Sequence, residues 1–202
     1  SKLNIKIAHV EAGLRSFNME MPEELNRILT DRVSSFLFCP TKSSVLNLKN
    51  EGIEKGVFNV GDVMLDVATH VKNLSRNQSN FKNNIGLLNS NYILVTCHRA
   101  ENTNNTEKLI QILKSLDQLS KDFKIVFPIH PRTSKIIDNK NLNHLLKNLI
   151  IIEPLSYTEM IDFLSNAILI ITDSGGLQKE AFFCETPCLT IREETEWTET
   201  VE

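Results

Sequence analysis

Short apolar runs rich in isoleucine, leucine and valine alternate with helical patterns along almost the whole chain, and that alternation admits few folds. The runs fall at Ile5–Val10, Ser35–Cys39, Val57–Val60, Tyr92–Cys97, Lys124–Ile129, Leu149–Ile152, Ala167–Ile171 and Cys188–Ile191. Between most of them lie helical patterns such as Glu24–Val33, Ser43–Asn50, Glu107–Leu119, Tyr157–Ser165 and Leu177–Cys184. Short apolar strands separated by helices indicate parallel sheets with helices on both faces. The expected fold class is therefore α/β. A polar stretch, Asn73–Asn91, reads as a helix end, a loop and a loosely packed connection. It follows a Gly61-Asp62 turn signal, and a boundary between two sheets is expected near residues 60–70.

At 202 residues the chain can bury a real core. A net charge of −3 gives no electrostatic case for a nucleic-acid partner. No apolar run approaches the roughly 20 residues of a membrane span, and no signal peptide opens the sequence, so no membrane partner and a cytoplasmic location are expected. The cysteines at 39, 97, 184 and 188 form no CxxC pair, and Pro187 argues against Cys184 and Cys188 sharing a helix face. They read as reduced, mostly buried thiols. The sequence starts without a methionine and stops at Thr200-Val201-Glu202, inside an expected helix with no terminal cap. A fragment is expected.

Three polar clusters follow apolar strands. The first is His9-Val10-Glu11-Ala12-Gly13-Leu14-Arg15, with Met21-Pro22-Glu23-Glu24-Leu25-Asn26-Arg27 and Asp31 beyond it. His9 and Glu11 are expected to close a buried strand, where open α/β sheets place ligand groups. A carboxylate buried there needs a partner or a task. Glu24 with Arg27 fits a surface i,i+3 pair, and Glu23 with Arg27 an i,i+4 pair. The second cluster, Thr96-Cys97-His98-Arg99-Ala100-Glu101-Asn102, supplies a switchable donor and a fixed cation, both suited to phosphate. Glu101 and Asn102 read equally well as a cap for the next helix. His130 ends another strand and is expected near the same edge. The third, Thr172-Asp173-Ser174-Gly175-Gly176, runs into Leu177-Gln178-Lys179-Glu180. It offers backbone N–H groups and a helix N-terminus to an anion, with Glu180 about one turn into the helix for a vicinal diol. An ordinary strand–turn–helix with Ser174 as N-cap accounts for the same residues. No Walker sequence, Asp-x-Asp pair or Gly-x-Gly-x-x-Gly after a strand is present, so no cofactor and no metal is expected.

Together these segments resemble the non-hydrolysing UDP-N-acetylglucosamine 2-epimerases. The resemblance rests on HVEAGLRS at 9–16, MPEELNRILTD at 21–31, FCPT at 38–41, VGDVMLD at 60–66 and TCHRAEN at 96–102. It continues through FPIHPR at 127–132, EPLSY at 153–157, TDSGGLQKEA at 172–181 and REETEWTETVE at 192–202. It implies a GT-B-like protein with two Rossmann-like domains facing a cleft, both incomplete here. Residues 1–65 would be the end of the first domain and 66–202 most of the second, UDP-binding one. The implied reaction interconverts UDP-GlcNAc and UDP-ManNAc by elimination and re-addition of UDP through 2-acetamidoglucal, in a protein that is a homodimer at full length. The resemblance makes Glu11, Glu23 and His98 the catalytic candidates. It assigns Arg27, Ser174, Gly175, Gly176 and Glu180 to substrate, and Arg99, Glu101 and His130 to a second, regulatory UDP-GlcNAc. An arginine-bearing N-terminal segment, an upstream acidic residue and a closing C-terminal segment of the family are absent. Two other readings use the same residues: a GT-B glycosyltransferase acting on a UDP-sugar, and a silent UDP-binding piece.

Overall fold

The computed structural model describes residues 5–75, 86–87 and 90–192. The expected connection at 73–91 falls largely outside these residues, and the expected C-terminal helix wholly so. Two compact units are present, dividing after Val67.

The first unit holds a parallel sheet of β1 (Ala8–Val10), β2 (Phe36–Cys39) and β3 (Val57–Asn59), in that order. Register pairs His9 with Leu37 and Phe38 with Phe58. Side chains alternate across a strand, so Leu37 and Cys39 turn to one face, where they meet Ala12 and Leu48 in a small core. The other face carries Val10, Phe36 and Phe58, all exposed. Helix α1 (Pro22–Val33) starts on a proline, whose fixed φ suits a first helical position. Helix α2 (Lys42–Asn50) starts in a Thr41–Ser44 capping box. The residues α1 buries are charged, Glu24 and Asp31, while Leu25, Leu29 and Val33 are exposed.

The second unit is larger. Its five parallel strands run β6 (Ile150–Ile152), β5 (Lys124–Pro128), β4 (Tyr92–Thr96), β7 (Leu169–Thr172) and β8 (Cys188–Thr190). Helix α3 (Val63–Ser75) runs across the division and precedes β4; between the strands come α4 (Ala100–Thr103), α5 (Thr106–Leu119), α6 (Pro131–Asn139), α7 (Tyr157–Asn166) and α8 (Gly175–Phe183). Every residue of β4 is buried, as a central parallel strand requires. Ile93 and Val95 pack against Leu109, Leu113 and Leu116 of α5, with Ile137 of α6. Tyr92 and Leu94 turn the other way, onto Ile161 and Phe163 of α7 and Ala181 of α8. Tyr92 is held at its polar end too, its hydroxyl donating to the Phe163 carbonyl at 2.6 Å. The chain builds outward from β4 through β5 to β6, then returns to the other side of β4 with β7 and β8. That reversal puts a topological switch point between β4 and β7, where open α/β sheets leave a crevice.

All eight expected strands are present, shortened by one or more residues at most ends. One expectation fails. Glu11 does not close a buried strand: β1 ends at Val10, Glu11 stands in the turn beyond it, and Ala8 and Val10 are exposed among the described residues. Among the described residues no helix is long and apolar enough to cross a membrane.

Leu113 is almost fully enclosed between β4 and α5, so Leu113→Ala leaves a cavity that the packed sheet cannot close. We expect a loss of about 2–5 kcal/mol in urea-unfolding free energy. Leu46→Ala, at an exposed position of α2, should change it by less than about 0.5 kcal/mol. Equal effects would refute this account of the core.

Candidate active site

In the first unit the polar residues gather where β1 leaves the sheet. Glu11 is half-buried and stands in a turn at φ 66°, followed by Gly13 at φ 77°. The left-handed region costs a residue with a Cβ roughly 1–2 kcal/mol, so other contacts must hold Glu11 there. Gly13 is required twice over: by its φ, and because a Cβ would strike the Ser44 carbonyl.

Those contacts come from two carboxylates of α1. Asp31, 1 % exposed, accepts from the Gly13 N–H at 3.2 Å, pairs with His9 Nδ1 at 2.6 Å and with the Arg15 guanidinium at 2.8 Å. Arg15 reaches on to Glu51 at 2.6 Å. Glu24, also 1 % exposed, accepts from the backbone N–H groups of Ser16 at 2.9 Å and Phe17 at 3.0 Å, and from Arg27 at 2.9 Å. The expected surface pair of Glu24 and Arg27 is thus corrected. The pair forms, but Glu24 is enclosed because the 13–17 segment folds over it. Glu23, the neighbour of Glu24, is exposed, and Arg27 is half-buried. Burial works against the charge of Asp31, yet the hydrogen bonds from His9 and Arg15 prevail and keep its pKa below the ordinary value. Burial likewise opposes ionisation of Glu24, and the Ser16 and Phe17 N–H groups with Arg27 again win.

In the second unit the switch point carries the polar groups. Asp173, 0 % exposed, sits between β7 and α8 and faces the end of β4. Its carboxylate accepts from the His98 N–H at 2.9 Å, the Arg99 N–H at 2.8 Å and the Asn102 side-chain amide at 3.1 Å. Asn102 also donates to the Ile191 carbonyl at 3.0 Å, so one residue links β4, β7 and the end of β8. Asn102 lies inside α4 and does not cap the following helix; Asn105 performs that role for α5. The His98 ring lies with Nδ1 3.6 Å from Asp173. Burial lowers the His98 pKa against the pull of Asp173, with the charges of His130 and Arg99 adding to the lowering. The His130 ring is 6.0 Å from that of His98. His130 caps α6, its Nδ1 accepting from the Arg132 N–H at 3.2 Å. Cys97 is buried and its pKa is raised, chiefly by burial, which removes it as a thiolate partner for His98.

Ser174 is the N-cap of α8, its hydroxyl accepting from the Leu177 N–H at 3.4 Å. The cap is real, and it leaves the approach to the helix end open. Gly176 needs no unusual φ, and the nearest atom a Cβ would meet is Ser174 Oγ at 3.8 Å. Neither local strain nor packing demands glycine at 176; free access to the first N–H groups of the helix is what its small size provides. Glu180 is buried one turn further on, and burial raises its pKa against a hydrogen bond from Tyr157 and the charge of Lys179. Tyr157 is pushed up to about 12 by burial and by the neighbouring Glu180. Glu101 is exposed, close in sequence to His98 and Arg99 but not among the contacts of Asp173.

The structure therefore brings His98, Asp173 and the Ser174–Gly176 turn to one sheet edge, and ties the segment around Glu11 to α1 through Asp31 and Glu24. Sequence reasoning passed over Asp173, which was visible only as part of a small polar turn, and Asp31, which was noted without a role. A buried acid flanked by a strand end and a helix start was the available signal.

A parallel α/β chain with small polar residues opening a helix at its switch point, and a buried carboxylate one turn in, has the arrangement in which open α/β sheets bind ligands. The match to known proteins narrows that class. The model of the UDP-N-acetylglucosamine 2-epimerase family matches residues 1–202, and the chain belongs to this family. A UDP-N-acetylglucosamine 2-epimerase homolog of Methanococcus maripaludis is 52 % identical over 206 residues, covering 100 % of this chain and 57 % of the relative. The UDP-2,3-diacetamido-2,3-dideoxy-D-glucuronate 2-epimerase of Pseudomonas aeruginosa is 48 % identical over 206 residues, covering 100 % and 56 %. The Methanocaldococcus jannaschii UDP-GlcNAc 2-epimerase, solved in complex with UDP-GlcNAc and UDP, superposes with a TM-score of 0.90 at 44 % identity. That superposition covers 99 % of this chain and 57 % of the other. The GT-B-like α/β fold is shared with these enzymes. The chain spans a little over half the length of the relatives it matches.

The depressed carboxylates give a pH signature. The unfolded chain binds protons at ordinary carboxylate values near 4, whereas folded Asp31 and Glu24 resist protonation to lower pH. Their contribution is therefore complete above that range and drains away as pH falls through the depressed folded values. Hydrogen exchange over residues 9–31 should accelerate between about pH 5 and pH 2 more than over β4. An acid response confined to β4 would contradict the assignment.

Proposed function

We propose that the full-length protein interconverts UDP-GlcNAc and UDP-ManNAc. In this reading a carboxylate of the Glu11–Glu23 pair removes the proton at carbon 2 of the sugar. The C1–O bond breaks, its electron pair leaves with UDP, and a C1–C2 double bond forms in 2-acetamidoglucal. The other carboxylate protonates carbon 2 from the opposite face, and UDP re-adds at carbon 1. Carbon 2 is weakly acidic, so its base must lie within hydrogen-bond reach. The leaving UDP needs its charge met by fixed donors, supplied in the second unit by the α8 N-terminus at Ser174–Gly176 and by His98; Arg27 supports the carboxylates of the first unit. Glu180 takes the ribose hydroxyls.

The observation that carries the reading is the open approach at Gly176 with Glu180 buried one turn beyond it, in a chain of the epimerase family. We place the end of an N-terminal Rossmann-like domain in the first unit and most of the UDP-binding domain in the second. Arg99, Glu101 and His130 are assigned to a second nucleotide-sugar site; with Nδ1 committed to its cap, His130 has Nε2 for a ligand. The Pseudomonas relative is named for a diacetamido uronate, and activity on that substrate but not on UDP-GlcNAc would change the sugar while keeping the chemistry. A UDP-sugar glycosyltransferase is separated by omitting any acceptor: epimerisation of UDP-GlcNAc alone excludes it.

Run in D2O, the full-length enzyme should place deuterium at carbon 2 of the product. Turnover without solvent exchange would overturn elimination and re-addition. Glu11→Gln and Glu23→Gln should each lower kcat at least about a hundredfold with UDP binding unchanged, measured by NMR turnover and calorimetry.

The Cβ of a valine at 176 stands in the space a phosphate would use, in ordinary contact with Ser174 Oγ at 3.8 Å. Gly176→Val should therefore remain folded and lose UDP binding. Glu180→Gln should weaken UDP more than inorganic pyrophosphate, which has no ribose. Undiminished UDP binding by Gly176→Val would remove the turn from the site.

A further inference from the structure

α1 presents two buried carboxylates to the loop that bears Glu11. Asp31 and Glu24 lie seven residues apart, two turns along one helix face and about 10 Å apart along the axis. Asp31 takes His9, Gly13 and Arg15, on both sides of Glu11 in sequence. Glu24 takes the backbone of Ser16 and Phe17, at the far end of the same segment. The attachment of α1 to this loop is thus ionic and directional.

We propose that Asp31 and Glu24 are positioning residues: they fix the left-handed turn of Glu11 to the helix that carries Glu23, so that the two carboxylates keep one relative placement. This rests on the reading of Glu11 and Glu23 as the acid–base pair. Apolar anchoring would bind the loop with less specified geometry, since hydrophobic contact is non-directional. A carboxylate that accepts from two successive N–H groups, as Glu24 does, sets the course of the backbone. Asp31 adds a second constraint from the other end, through the Gly13 N–H at the residue that must follow the Glu11 turn. Acid–base chemistry is sensitive to such placement, because a displacement of about 1 Å can lower a rate by about a hundredfold. Neither residue is expected to touch substrate.

The test compares full-length Asp31→Asn and Glu24→Gln with the unchanged enzyme. Both variants keep side-chain size and one acceptor oxygen while losing the charge. Deuterium uptake at carbon 2 from D2O gives the rate, and calorimetry with UDP reports the second unit separately. We expect kcat to fall about ten- to a hundredfold, with KM and UDP affinity within about twofold. Glu24→Asp should fall further, because its shorter arm cannot reach both N–H groups. Unaltered kcat in folded Asp31→Asn and Glu24→Gln overturns the proposal. So does a fall that is matched by loss of UDP binding, which would mark a general structural role. Should either variant fail to fold, His9→Gln decides in its place. It removes one partner of Asp31 at a partly exposed position, and an unchanged kcat there is equally fatal. If the unaltered enzyme shows no exchange at carbon 2, the epimerase reading itself falls, a separate outcome visible before any variant is made.

Discussion

A buried carboxylate must be given donors or it will not stay charged, and three such groups organise this chain. Glu24, Asp31 and Asp173 are enclosed, and each is supplied with backbone N–H groups from a segment distant in sequence. Desolvating an ion costs several kcal/mol, and only well-aligned partners offset it. Each carboxylate therefore dictates where a neighbouring stretch of backbone runs. Asp173 decides how the chain leaves β4, and Asp31 and Glu24 decide how it leaves β1. In both units the residues with chemistry stand on the segment so constrained.

The two places differ in what they offer. At the switch point the fixed groups are donors: helix N–H groups, His98, and the cation of Arg99. At the β1 exit they are acids, Glu11 and Glu23, backed by others that are saturated and out of reach. Donors suit a departing diphosphate, and acids suit a proton on carbon. In the proposed reaction these are the tasks of holding the leaving group and of moving the proton.

Much of this was legible in the sequence. All eight strands follow from apolar runs, and the Ser174–Gly176 turn from its small residues. Helices Val63–Ser75 and Pro131–Asn139 were less visible, the first apolar at positions that turn out exposed and the second opening with Arg-Thr-Ser-Lys. Side-chain environment was the harder quantity. Glu24 and Arg27 have the spacing of a surface pair, and nothing local reveals that residues 13–17 fold over them. Glu11 follows an apolar run that looks buried, yet the strand ends at Val10 and Glu11 falls in the left-handed turn after it. Asp173 finds its partners 71 to 75 residues earlier in the chain, a separation no local pattern encodes.

That separation bears on how the protein is assembled. β4 pairs with β5 and β7 with β8 across short stretches, but Thr96 and Thr172, whose hydroxyls meet at 2.6 Å, are 76 residues apart. Closing so long a loop is entropically dearer than the neighbouring pairings and is rewarded later. Without the β4–β7 pairing the sheet would be two pieces, β6-β5-β4 and β7-β8, each ending in an unpaired parallel edge of the kind that invites foreign strands. The edge that carries His98, Asp173 and the Ser174–Gly176 turn is thus made by the least local contact of the sheet, and the crevice at the switch point exists only where that contact holds the two pieces together.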